Sequence, residues 1–183
     1  MMKIGNIIGI LVLILAGGAS AMAQSSDSVV KVRPALSVDR VKQGSTFQAA
    51  AVLDIDGGYH INSSRPSETY LIATTLKVDQ QRELSLGGVI YPPGVDKKFS
   101  FSQKPLSVYE GRVVLRFLGR ALPSLSVGNH VLHCKLTIQA CSDQACLQPK
   151  TVDVQIPFEV VPASAQANPA NTDIFAEPGK KKH

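Results

Sequence analysis

From Val29 onward the apolar positions fall in short alternating runs, without the three-to-four residue spacing of a helix. Val30 and Val32, then Leu36, Val38 and Val41, alternate with other residues around Pro34. Thr46 to Ile55 (TFQAAAVLDI) is a longer run that ends at the turn Asp56-Gly57-Gly58. Tyr59 to Asn62 continues extended, and Ser63 to Glu68 is a polar loop. Leu71 to Val78 and Leu84 to Tyr91 are two further strands, the second stopped by Pro92-Pro93-Gly94. Val95 to Glu110 reads as a polar loop carrying aromatic residues, and Val113 to Leu118, Val131 to Ile138 and Val152 to Val161 are the last strands. Short strands separated by Gly, Pro, Asn and Asp at intervals of roughly 8–12 residues predict an all-β fold, an antiparallel β-sandwich. Helical periods between strands, the mark of an α/β chain, are missing.

The two ends depart from this pattern. Lys3, the apolar run Ile7 to Leu15 and the small-residue site Ala21-Met22-Ala23 form the three parts of a secretory signal peptide over residues 1–23. The apolar run falls short of the ~20 residues that a membrane-spanning helix needs. No integral membrane segment is therefore expected after cleavage, and the expected location is an exported, oxidising compartment. Residues 24–162 are expected to form one domain. Residues 163–183, rich in Ala, Asn, Pro and Lys, are expected to be a disordered tail.

Charge and composition narrow the function. The formal net charge is +5, but Lys3, Lys180, Lys181 and Lys182 carry most of that excess. A nucleic-acid partner needs a basic face on the folded part, so none is expected. With no Trp and 5% aromatic residues, a stacking platform for bases or sugars is also unexpected.

The chain has three cysteines, too few for a disulfide-built miniature fold. In Val131 to Ala140, Leu132, Cys134, Leu136, Ile138 and Ala140 share one strand face, and His133, Lys135, Thr137 and Gln139 share the other. Cys134 thus reads as core filling. Cys141 is next in parity to the polar face. Along one strand, Cys134 and Cys141 would be about 23 Å apart, and a disulfide needs Cα atoms within about 7 Å. Cys141 and Cys146 are separated by Ser142-Asp143-Gln144-Ala145, a polar stretch able to turn, and are the expected bridge. A loop this short contributes only about 2 kcal/mol on the chain-entropy model. A staple and a redox pair both remain open on these residues alone. A third reading is a metal site using His130, His133 and Cys134. His133 lies about 26 Å from Cys141 along an extended strand, so no metal cluster is expected at the cysteine pair. Asn62-Ser63-Ser64 also fits a glycosylation sequon.

QACSDQACLQPKTVDVQI, from Gln139 to Ile156, resembles the active-site hairpin of the N-terminal periplasmic domain of the disulfide reductase DsbD. GGYHIN (Gly57 to Asn62), YPPGVDKKF (Tyr91 to Phe99) and VYEGRVVL (Val108 to Leu115) follow that family's order and spacing. The resemblance spans roughly Val29 to Val161. It implies an immunoglobulin-like fold and a redox pair, Cys141 and Cys146, exchanging electrons with thioredoxin-fold periplasmic proteins through mixed disulfides. Cys146 would form the mixed disulfide and Cys141 would resolve it. It further implies a cap loop, here Asp96 to Tyr109, with Phe99 or Phe101 as the covering ring. Tyr59, His60 and Tyr109 would support the site, His60 as a neighbouring proton donor or acceptor. No cofactor is implied. The large family protein adds a multi-helix membrane domain and a thioredoxin-like domain, so the resemblance implies a separate membrane electron donor. This chain departs from the family in three ways: one residue fewer between the cysteines, a longer cap loop, and the extra Cys134. The rival expectation is a non-enzymatic exported binding module with a plain structural disulfide.

Overall fold

The computed structural model describes residues 24–176; the expected signal peptide, residues 1–23, lies outside them. One turn of 3-10 helix, Ser26–Ser28, precedes β1 (Val30–Leu36), β2 (Val41–Lys42), β3 (Thr46–Ile55) and β4 (His60–Asn62). Then follow β5 (Thr75–Val78), β6 (Leu84–Leu86), β7 (Val95–Lys97) and β8 (Leu106–Tyr109). The chain closes with β9 (Arg112–Ala121), β10 (Gly128–Ile138), β11 (Ala140–Cys141), β12 (Lys150–Val161) and the single-turn helix α1 (Thr172–Phe175).

Two four-stranded sheets, ordered β1-β3-β9-β6 and β2-β12-β10-β5, form the layers of an immunoglobulin-like sandwich. Period-2 alternation decides which side chains meet between them. Phe47, Ala49, Ala51, Leu53 and Ile55 point inward from β3, and Val113, Leu115, Phe117 and Ala121 from β9. They meet Leu132, Cys134, Leu136 and Ile138 of β10 and Val154, Ile156, Phe158 and Val160 of β12. Cys134 sits in this core as expected, with its thiol pushed up to about 11, chiefly by burial and secondarily by Asp79. All named strand pairs are antiparallel except β2 with β12, a short parallel contact through Val160↔Val41 and Val161↔Lys42.

A third sheet, ordered β11-β4-β8-β7, carries the cysteine pair. Two of its strands lie inside the stretch read above as loop. Val95↔Val108, Asp96↔Ser107 and Lys97↔Leu106 make β7 and β8 a hairpin, leaving only residues 98–105 as the connection. The turn before β4 closes with Tyr59 N–H donating to the Asp56 carbonyl at 3.1 Å. Gly58 has φ +83° there, the left-handed value that the third position of a type II turn demands.

The tail is the clearest departure from expectation. Residues 168–175 dock beside and on the outer face of the β1–β3 sheet, and residues 177–183 lie outside the described residues. Asn168 donates to both carboxylate oxygens of Asp39, from its backbone N–H at 2.8 Å and from Nδ2 at 2.9 Å. Asn171 Nδ2 donates to the Leu36 carbonyl at 2.9 Å. Ile174 then packs on Ala35, Ala50 and Val52, apolar residues on the outward face of β1 and β3. Composition misleads here because a few hydrogen bonds and one aliphatic side chain suffice to dock a polar segment onto a prepared apolar patch.

Ile174→Ala should cost about 2 kcal/mol, at the low end for a buried aliphatic truncation, seen as a lower Tm. An unchanged Tm would mean that the segment adds nothing to the fold. The hydrogen bonds from Asn168 also hold the Asp39 carboxyl below its usual range. Docking is therefore complete above the unfolded carboxyl value and weakens as pH falls through the depressed one. NMR peaks of Asn168 and Ala170 should move toward random-coil positions on that descent, and should do so at neutral pH in Asp39→Ala.

Candidate functional site: a disulfide hairpin under an aromatic ring

Strand β10 keeps its register with β12 as far as Ile138↔Lys150. At Gln139 the chain steps off that sheet, and β11 pairs instead with β4 through Ala140↔Ile61 and Cys141↔His60. Gln139 itself holds the step. Its Oε1 accepts from Asn62 Nδ2 and from the Ile72 backbone N–H, both at 3.1 Å, and its carbonyl accepts from Asn62 N–H at 3.3 Å. Ser26, fully buried, ties down the same point. Its Oγ donates to the Gln148 carbonyl at 2.6 Å and accepts from Ala140 N–H at 2.9 Å.

The cysteine loop is a hairpin. Leu147 N–H donates to the Ala140 carbonyl at 2.8 Å, and Ser142 N–H donates to the Ala145 carbonyl at 2.9 Å. Ser142 Oγ accepts from the Gln144 and Ala145 N–H groups, each at 3.3 Å, and shapes the turn. Between these rungs Cys141 faces Cys146 in the non-hydrogen-bonded position, where antiparallel strands bring side chains closest. The two are joined as a disulfide, with Cα atoms 3.8 Å apart. Cys134 stays free in the core.

Alternation sorts the small sheet into two faces. Ile61, Tyr109 and Ala140 look into the main core. His60, Asn62, Leu106, Val108 and Cys141 share the other face. A β-sheet face of this kind would ordinarily be wet, which is why parity alone assigns Cys141 to the polar side. Here the 98–105 connection roofs it. Phe99, with Leu71, Leu106 and Val108, forms a small apolar cluster. The Phe99 ring stacks on His60 with centroids 4.0 Å apart, and Phe101 stacks on Phe99 at 5.4 Å. Ser100 Oγ donates to the Asp143 carbonyl at 2.9 Å, which fastens the roof to the cysteine loop. The result is an asymmetric disulfide: Cys141 is 1% exposed, whereas Cys146 is exposed.

Phe99, Phe101 and His60 therefore meet in one stack on the sheet face that carries Cys141, with Phe99 as the buried ring and Phe101 as an outer one, 39% exposed. Tyr59 and Tyr109 support the sheet from its core side. The Tyr109 hydroxyl lies 3.1 Å from Ser64 Oγ and 3.0 Å from the Pro92 carbonyl, and accepts from Ser64 N–H at 3.2 Å. Sequence reading misses Ser26, Gln139, Ser142 and Ser100, whose only signal is the Ser-Asp turn chemistry at Ser142. It also misses Lys97 and Glu110, paired at the rim. Glu110 raises the Lys97 pKa through that hydrogen bond, though a half-exposed pair of this kind adds little stability.

Burial holds the His60 pKa below its ordinary value; Lys97 adds to this, while Glu110 and Asp143 oppose it. His60 Nε2 is buried without a hydrogen-bond partner. No gathering of three His, Cys, Asp or Glu side chains occurs among the described residues. His133 projects from the face opposite Cys134, and His130 Nε2 is engaged with the Ser126 carbonyl at 2.8 Å. The metal reading has no converging ligand set. Asn62, buried and bonded to the Ile72 carbonyl at 3.0 Å, has no room for a glycan.

Residues 26–157 match the family model described as thiol:disulfide interchange protein DsbD, N-terminal. The chain belongs to that family. Among solved structures, the N-terminal domain of Neisseria meningitidis DsbD in its reduced form is 17% identical. It aligns over 78% of this chain and 91% of its own, with a TM-score of 0.45. The N-terminal periplasmic domain of Proteus mirabilis ScsB is 15% identical, over 74% of this chain and 49% of its own, with a TM-score of 0.48. No curated protein sequence matches. Family membership and a bonded cysteine pair make this DsbD N-terminal-type chain a thiol–disulfide interchange module.

After reduction, Cys146 should alkylate with iodoacetamide at least about tenfold faster than Cys141 or Cys134, because thiol reactivity follows access and ionisation. Peptide mass spectrometry reads this directly, and equal rates would contradict the asymmetry. Phe99→Ala should speed reduction of the disulfide by dithiothreitol. It should also cost about 3 kcal/mol of stability, the scale of a buried aromatic truncation.

Proposed function

We propose that this protein is a periplasmic thiol–disulfide carrier that passes electrons between thioredoxin-fold proteins through Cys141 and Cys146. The observation that carries the reading is the asymmetric disulfide, with Cys146 in reach of a partner and Cys141 buried beside its register partner His60. A partner dithiol attacks the exposed Cys146 sulfur, and Cys141 leaves as a thiolate. The partner's second thiol then displaces Cys146, leaving this protein as a dithiol and the partner as a disulfide. Two electrons and two protons have moved. In the outgoing reaction the Cys146 thiolate attacks an oxidised partner, and Cys141 resolves the mixed disulfide.

The residues form the rest of the apparatus. Phe99 covers His60, the register partner of Cys141, and Phe101 presents a partly exposed ring against Phe99, so a docking partner meets aromatic surface near one accessible sulfur. Electrons reach the pair from a thioredoxin-fold donor. No helix among the described residues is long and apolar enough to cross a membrane. The chemistry uses sulfur alone, without metal or cofactor.

The test is trapping. Reduced Cys141→Ser, mixed with an oxidised thioredoxin-fold protein, should accumulate a mixed disulfide through Cys146, visible by non-reducing electrophoresis and mass spectrometry. Cys146→Ser should accumulate far less. If neither variant captures a partner, the pair is a structural staple and the protein is a binding module.

A further inference from the structure

We propose that His60 is the proton acceptor for Cys141, enabling the buried thiol to resolve the mixed disulfide. This rests on the carrier reading above. His60 and Cys141 are register partners on neighbouring antiparallel strands. Such partners share a sheet face with Cβ atoms about 4.5–5.5 Å apart. The imidazole is 1% exposed, its Nε2 has no hydrogen-bond partner, and Phe99 covers one face of the ring at 4.0 Å.

The problem that this arrangement solves is one of burial. A thiol withdrawn from water loses its charged form; Cys134, buried in the main core, shows the effect at about 11. Reduced Cys141 stands in a similarly dry place, so it is a poor nucleophile unless its proton has somewhere to go. At 1% exposure Cys141 is cut off from bulk water. The charged groups around the imidazole are Lys97 on β7, Glu110 after β8 and Asp143 in the hairpin, and none is hydrogen-bonded to the ring. Burial keeps the ring neutral at neutral pH, and a neutral imidazole always has one nitrogen able to accept.

The step balances. With Cys146 joined to a partner sulfur, the Cys141 S–H passes its proton to His60. The Cys141 thiolate attacks Cys146 Sγ, and the Cys141–Cys146 bond forms as the Cys146–partner bond breaks. The partner sulfur leaves as a thiolate and takes the proton from the imidazolium.

Oxidised glutathione serves as the probe disulfide. Reduced wild-type protein and His60→Phe, which keeps an apolar ring under Phe99, are compared by rapid acid quench and mass spectrometry. Formation of the glutathione adduct at Cys146 should proceed at a similar rate in both. Its resolution should be at least about tenfold slower in the variant at pH 7, within the range for general-base catalysis. The wild-type resolution rate should fall with acid, with an inflection below 6.5 that the variant lacks. Equal resolution rates and profiles would overturn the proposal. A second measurement needs no variant: the NMR titration midpoint of His60 should differ between the oxidised and reduced wild-type protein, and identical midpoints would overturn it too. If wild-type protein never forms the adduct, the carrier reading fails, while the His60 titration still decides this one.

Discussion

One backbone event organises the site: the sideways step at Gln139. Until Ile138 the chain is the centre of a sandwich layer, with β12 on one side and β5 on the other. From Ala140 it belongs to a different, smaller sheet. Without the step, Cys141 would continue β10 on its solvent-facing parity, far from His60. With it, Cys141 lands opposite His60, and the chain turns immediately into the hairpin that returns Cys146. Such a step must satisfy displaced backbone groups, since buried unpaired N–H and C=O groups are costly. Gln139, Asn62 and Ser26 supply those bonds from side chains.

A roof makes this geometry chemically useful. A bare sheet face would expose both sulfurs and leave no difference between them. Phe99 and its neighbours Leu71, Leu106 and Val108 dry one side of the small sheet, and Ser100 couples that loop to the cysteine turn through Asp143. The roof is a short loop anchored by Phe99, whose ring packs on His60 and against Leu71, Leu106 and Val108, and by the Ser100–Asp143 hydrogen bond. The sandwich below supplies the rigidity: Ile61, Tyr109 and Ala140 root the small sheet in the main core.

Much of this was legible in the sequence, for a physical reason. Strands with one dry face and one wet face advertise themselves by alternation. Thr46 to Ile55 was readable to its ends, and Cys134 was readable as core. The Cys141–Cys146 pairing followed from reach alone, and the hairpin sequence carried the family resemblance. What stayed hidden is what alternation does not encode. Leu106–Tyr109 is covered on its outer face and Val95–Lys97 is a three-residue exposed edge strand, so neither shows the dry-and-wet alternation of a sandwich strand. The burial of Cys141 depends on a strand break and a roof, both tertiary. The docked tail depends on Asp39 and Ile174 meeting partners more than a hundred positions away.

The carrier role stands or falls on whether the Cys141–Cys146 bond is made to be opened. Its reduction potential, measured by equilibrating the purified protein against dithiol buffers and counting free thiols, tests that most directly. A carrier should lie above about −300 mV, where biological dithiols can reduce it. A value well below that, the range of structural disulfides, would contradict the account and leave the hairpin as a staple.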